Sequence, residues 1–494
     1  MCKVGFDNQK YLSMQSEQIR ERIAQFGGKL YLEFGGKLFD DYHASRVLPG
    51  FAPDSKMRML QQLKDDMEIV ITINAADIES NKRRGDLGIT YDEDVLRLID
   101  TFRELDLYVG SVVLTRYDGQ ASANTFFNQL EALGVKCYKH YPIAGYPSDI
   151  AHIVSDEGLG KNEYIETSRS LVVITAPGPG SGKMATCLSQ LYHDHKRGIT
   201  AGYAKFETFP VWNLPLKHPV NLAYEAATVD LNDVNMIDPF HLETYGETAV
   251  NYNRDVEIFP VLNTMFERIQ GKSPYNSPTD MGVNMAGNCI IDDEACRDAS
   301  RMEILRRYYT ASVKKLRTFG EDTEVKKLEL LMNQAGMTPD RCRLVNAALD
   351  KEKETGAPAG AMELHDGTII TGKTSSTLGA ASALLLNALK KLGGIEDEIE
   401  LISAQVLEPI CKLKTEYLKN KNPRLHTDEV LMSLTISALT NPIAEKAKQQ
   451  LENLKSCSAH FTVIISEEDE KILKRLGVNV SCEAKFENKG LYHK

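Results

Sequence analysis

Apolar and polar positions along this chain follow two alternating rhythms. Glu68–Asn74, Val109–Thr115 and Leu171–Thr175 are nearly continuous apolar, β-branched runs, which predicts strands buried on both faces. Tyr11–Phe26, Lys56–Leu63, Glu93–Leu105 and Asn124–Leu133 instead repeat apolar residues at helical spacing. Lys29–Phe34, Val135–Tyr138 and Thr200–Phe206 add further strands. Strands alternating with helices predict an α/β fold: a large, mostly parallel sheet with helices on both faces, spanning residues 1–271. Gly271-Lys-Ser-Pro-Tyr-Asn-Ser-Pro278 breaks the rhythm, and residues 272–335 read as a helical connecting region through Cys296–Leu316 and Asp322–Gly336. Residues 336–494 read as a smaller α/β domain with a helical insertion over Glu396–Asn420. In it Asp366–Lys390 reads as strand, hydroxyl-rich turn and buried helix, and Phe461–Ile465 with Ser466-Glu-Glu-Asp-Glu470 as a later strand and capped helix.

Composition narrows the function classes. With 494 residues, 42% hydrophobic and 26% charged, the chain is built to bury large cores. A formal net charge of −11 argues against a nucleic-acid partner, which would require a basic face, and so favours a small-molecule ligand. The nine cysteines are scattered without Cys-x-x-Cys, as in a reduced, cytoplasmic protein. The N-terminus carries no signal-peptide pattern and no apolar run approaches the roughly 20 residues of a membrane helix, so no membrane association is expected.

The sharpest local signal is Leu171-Val-Val-Ile-Thr-Ala-Pro-Gly-Pro-Gly-Ser-Gly-Lys183, a buried strand that stops in a glycine loop ending in Gly-Lys before a helix. Glycines let successive N–H groups converge on one anion, and a helix start adds its positive end. Gly178, Gly180, Ser181, Gly182 and Lys183 are therefore the expected phosphate contacts. Pro177 and Met184 depart from Gly-x-x-x-x-Gly-Lys-[Ser/Thr], which leaves Thr186 or Ser181 to supply a metal-binding hydroxyl, or carboxylates alone to hold the metal. A glycine-rich turn without ligand is the competing reading. Downstream, Asp230, Asp233 and Asp238, flanked by Glu225 and Glu243, have the oxygen density of a magnesium site and equally that of helix caps and turns.

Other strand-end loops carry chemistry too. Gly35–Arg46 gathers Lys37, Asp40, Asp41, His43 and Arg46; Lys82, Arg83 and Arg84 could clamp an anion; His140–Tyr146 is an aromatic loop fit for stacking; and Lys205–Pro219 is stiffened by prolines around Trp212, the single tryptophan.

From Gly5-Phe-Asp7 through Gly35-Gly-Lys37, Ala176–Lys183, Phe206-Glu-Thr-Phe-Pro210 and Pro278–Asn284 to the C-terminus, the chain resembles a family of bacterial cytosolic proteins classed as uncharacterised (uncharacterised protein family 0371, domain of unknown function 1846). Val172–His241 also looks like the phosphate-loop synthetases represented by dethiobiotin synthetase and CTP synthase, whose next strand delivers a lysine, as Ala201–Phe206 does here. That likeness implies that Lys183 binds nucleotide phosphates, that Lys205 reaches the transferring group and that the aspartates hold magnesium; Lys37, in the loop after the first strand, is expected as a further catalytic lysine. The C-terminal domain resembles the cytidine-deaminase fold, but Leu378-Gly-Ala-Ala381 stands where a metal ligand and catalytic Glu belong, so no zinc is expected. Thr374, Ser375 and Ser376 would cap that helix or bind an anion. The expectation is a homo-oligomeric, ATP- or other nucleotide-dependent synthetase or phosphotransferase acting with magnesium on a phosphorylated small molecule. Its alternative is a non-catalytic binding protein with a decayed loop.

Overall fold

Seven parallel strands form the larger sheet: β1 (Leu30–Phe34), β2 (Met67–Asn74), β3 (Val109–Thr115), β4 (Cys137–Lys139), β5 (Leu171–Thr175), β6 (Gly202–Phe206) and β9 (Gly282–Val283). A separate antiparallel pair, β7 (Asn235–Ile237) and β8 (Val250–Tyr252), lies between β6 and β9 in sequence. The order across the sheet is β4-β3-β2-β5-β1-β6-β9. Every residue of β1, β2 and β5 is buried, so helices cover both faces of the sheet centre, as their unbroken apolar runs require. The computed structural model describes residues 4–35, 38–39, 41–84, 88–319 and 321–487.

The chain divides into two compact units: residues 5–225 with 232–296, and residues 226–231 and 297–494 with the N-terminal four. The helix Asp293–Thr318 begins in the first and continues into the second.

The second unit is centred on a mixed four-stranded sheet, β10 (Ala359–Glu363), β11 (Ile369–Lys373), β12 (Ser458–Phe461) and β13 (Asn479–Cys482), in the order β11-β10-β12-β13. β10 runs antiparallel to both neighbours, and β12 and β13 are parallel. The helix Ala380–Leu392 supplies the centre of the core through Leu384, Leu385, Ala388 and Leu389. Ser466 caps the helix Glu467–Arg475 by accepting from the Asp469 N–H, the role its sequence assigns it. The insertion is helical only from Ala404, after Ser403, and the strand expected at Phe461–Ile465 ends at Phe461. Among the described residues no helix is long and apolar enough to cross a membrane, and the eight described cysteines are all free thiols; Cys2 lies outside the described residues.

Candidate functional site

In an open parallel sheet, ligands bind outside the carboxyl ends of the strands where the strand order reverses. β5 enters between β1 and β2, so its carboxyl end meets the ends of both. The loop after Thr175 stands there, and the strand ends tie it down by its carbonyls. Thr115, last residue of β3, donates its hydroxyl to the Ser181 carbonyl (2.9 Å), and the Asn74 amide at the end of β2 donates to the Gly180 carbonyl (3.4 Å). Fully buried Ser181 donates to the Gly178 carbonyl (2.9 Å). Three carbonyls of the loop are thus committed to side chains around it.

The helix Lys183–Lys196 then starts from Gly182 in the left-handed conformation (φ 84°), and no side chain caps it. A side chain at Gly182 would be strained and would press on Thr115, whereas at Gly180 the position of a Cβ is open space. An uncapped start leaves the first N–H groups without intrahelical partners and adds the positive end of the helix dipole. Lys183 is the first helical residue, half-buried, and forms no ion pair with a described residue.

Electrostatics place further groups around this start. Burial pushes the Cys187 thiol, one turn along the helix, well above its ordinary value; Glu33 adds to that and Lys183 opposes it. Glu33 is on β1, register partner of Lys205 on β6. Tyr146 keeps 41% of its surface open, yet crowding by its neighbours raises its phenol, with Glu33 reinforcing and Arg116 opposing. Arg116 follows β3, is exposed, and pairs with no described carboxylate. Lys183 and Glu33 thus both act on Cys187, and Glu33 and Arg116 both act on Tyr146.

Lys205 sits differently. Its ammonium is held between Asp255 (2.6 Å) and Glu207 (2.7 Å). Burial works against its charge, but Asp255, Glu207 and Glu33 outweigh it and keep Lys205 protonated. Burial raises Glu207 despite Lys205, and Tyr203 donates to Glu33 (2.8 Å). A lysine so clamped is a fixed charge and a structural tie, not a free nucleophile.

The remaining sequence candidates lie as follows. Lys37 and Asp40 fall outside the described residues. Thr186 is fully buried with its hydroxyl 3.4 Å from His140 Nδ1, so like Ser181 it faces the protein interior. Asp230 belongs to the second unit, in a short helical turn. Buried Asp233 pairs with Arg254 (2.6 Å), and Asp238 caps the helix Pro239–Tyr245 while accepting from Thr279 (2.6 Å). The three aspartates are not brought together, and no group of three potential metal ligands occurs among the described residues. Lys82 and Arg84 are paired with Asp77 and Asp94, and Arg83 donates to the Gly88 carbonyl. His43 packs edge-on against Phe209 and Tyr224. In the C-terminal domain Ser375 accepts from the Thr377 and Leu378 N–H groups, shaping the turn rather than capping the helix, whose N-cap is Gly379. Glu33, Arg116 and Asp255 were missed from sequence because a single charge at a strand end or in a helix carries no local pattern.

Two profiles match consecutively: "Domain of unknown function DUF1846, N-terminal" over residues 4–336 and "Domain of unknown function DUF1846, C-terminal" over residues 340–492. UPF0371 proteins of Streptococcus uberis and Streptococcus sanguinis are each 59% identical over 494 residues, covering all of both chains, and one of Streptococcus thermophilus is 58% identical over the same span. A likeness of this extent, end to end and across both domains, shows that the chain belongs to the DUF1846 (UPF0371) family.

Proposed function

We propose that the chain binds a phosphorylated small molecule, ATP or another nucleotide foremost, at residues 178–183, and that it is a nucleotide-dependent synthetase or phosphotransferase acting on a small metabolite. One observation carries this reading: a glycine loop whose carbonyls are tied to the ends of β2 and β3 leads into an uncapped helix start bearing an unpaired lysine. In this reading Lys183 and Arg116 would supply the cationic charge for phosphate oxygens, and catalysis would come from positioning and charge neutralisation. Asp233 and Asp238 are committed to Arg254 and to a helix cap, so magnesium enters this reading with the nucleotide phosphates rather than on an aspartate triad.

A second reading, a nucleotide- or metabolite-binding protein without turnover, is favoured by the clamped Lys205 and the inward-facing hydroxyls of Ser181 and Thr186. Calorimetry with ATP, inorganic phosphate and phosphorylated metabolites tests the shared step. Lys183→Ala is expected to weaken binding by roughly ten- to a hundredfold, about 1.5 to 3 kcal/mol, without a change in Tm. Equal affinity in wild type and variant would reduce the loop to a packing turn. Release of phosphate or ADP in the presence of bound ligand separates the two readings.

A further inference from the structure

The helix Thr427–Ala438 in the second unit is apolar on two sides. Its inner side puts Val430 and Leu434 into the core, with Leu431 and Ala438 packed against it. Its outer side carries Met432 and Ile436, 62% and 58% exposed, and Leu439, just past its end, is 81% exposed. The 4-3 spacing of these residues is that of a helix–helix seam. In the next helix, Pro442–Lys448, Ile443 is 37% exposed. Preceding Thr427–Ala438, the helix Ala404–Lys412 with the turn Leu413–Tyr417 packs against it and exposes Leu413, Tyr417 and Leu418. Large solvent-facing apolar patches mark contact surfaces.

We infer that this face is covered by a second copy of the same chain. At a net charge of −11, two copies repel over most of their surfaces. On the helix and turn that pack against the seam helix the balance is different: Glu408 and Glu416 alternate with Lys412, Lys419 and Lys421, all exposed and none in an ion pair with a described residue of its own chain. A two-fold related copy presents the same alternation in reverse order, so each carboxylate can meet an ammonium around a shared apolar seam. An acidic partner would satisfy only the lysines, and an anionic membrane would be repelled by the rest of the chain.

The full-length protein, measured by sedimentation equilibrium over a range of concentrations, is expected to show twice the chain mass. Ile436→Asp with Leu439→Asp should weaken association by roughly 30-fold or more, as loss of central interface anchors does. Because both side chains are exposed, the far-UV circular dichroism of the dissociated variant should match that of wild type, which separates lost association from unfolding. Lys419→Glu, which leaves the apolar seam intact, should weaken association less and remove part of its salt dependence. A wild type that stays monomeric at every concentration, or an oligomer whose mass neither variant changes, would overturn the inference.

Discussion

Two strand–turn–helix units of this chain look alike in sequence and differ in what their turns do. After β5, the turn is tied by its carbonyls to the ends of β2 and β3, and the helix Lys183–Lys196 begins without a side-chain cap and with a lysine in no ion pair with a described residue. After β11, the turn closes on itself: Ser375 accepts two N–H groups, the Gly379 N–H meets the Leu425 carbonyl (3.5 Å), and Ser382 donates to that same carbonyl (2.9 Å). Leu425 also donates its own N–H to the Thr377 carbonyl. Glycine and hydroxyl content therefore do not make an anion site. What matters is whether another segment of the chain already occupies the helix start, and at β11 Leu425 does.

The largest expected effect concerns the support beneath the open turn. Fully surrounded His140, hydrogen-bonded to the Glu163 carbonyl (3.1 Å) and close to Thr186 of the Lys183 helix, is pushed by burial from its ordinary value of 6.5 down to about 4, with His193 acting in the same sense. The unfolded chain takes up a proton below 6.5 that the native state refuses. Stability is thus full above that value and falls as pH drops from about 6.5 to about 4, by about 3 kcal/mol in all. Denaturant titrations of wild type and His140→Gln across this window should show a slope in the first that is lost in the second; parallel curves would contradict the assignment.

A smaller effect tests the loop itself. Gly180→Ala places a methyl in open space but in a left-handed conformation (φ 76°), so it should cost about 1 to 2 kcal/mol in stability and obstruct an anion approaching the N–H groups. Thermal melts with and without phosphate would reveal both changes, and an unchanged phosphate-induced shift in Tm would argue that the anion does not approach there. The smallest effect belongs to the closed turn. Ser375→Ala removes two exposed hydrogen bonds and should lower stability by about 0.5 kcal/mol, with ligand affinity measured by calorimetry staying the same.

Much of the fold was legible because its strands are extreme in composition. β3 and β5 begin and end where their β-branched runs do. β10, Ala359-Gly-Ala-Met-Glu363, was not, since small residues have no strand signature. Its glycine is required by the tertiary structure: a Cβ on Gly360 would stand 2.5 Å from the Phe461 ring. The end of β12 was misplaced because pairing with β10 and β13, not local apolar content, sets where a ladder stops. The helix expected from Glu396 waits for Ser403 because the intervening Glu396–Glu400 is charged and turn-forming rather than periodic. At the candidate site, the glycine loop and Lys183 were readable because they are contiguous. The partners of Lys205 and Asp233 come from Asp255 and Arg254, 50 and 21 positions away, and only the fold brings them together.

The place of β5 in the larger sheet also governs how the chain can come to be folded. β1 and β2 are nearly adjacent in sequence, yet neither pairs with the other; both wait for a strand synthesised about a hundred residues after β2. Until Leu171–Thr175 leaves the ribosome, two buried strands of the nascent chain each lack the neighbour that joins them. Non-local parallel pairing of this kind is slow and exposes sticky intermediates. The same segment that ends in the glycine loop is therefore the keystone of assembly, and a chain that stops before it has no route to the native sheet.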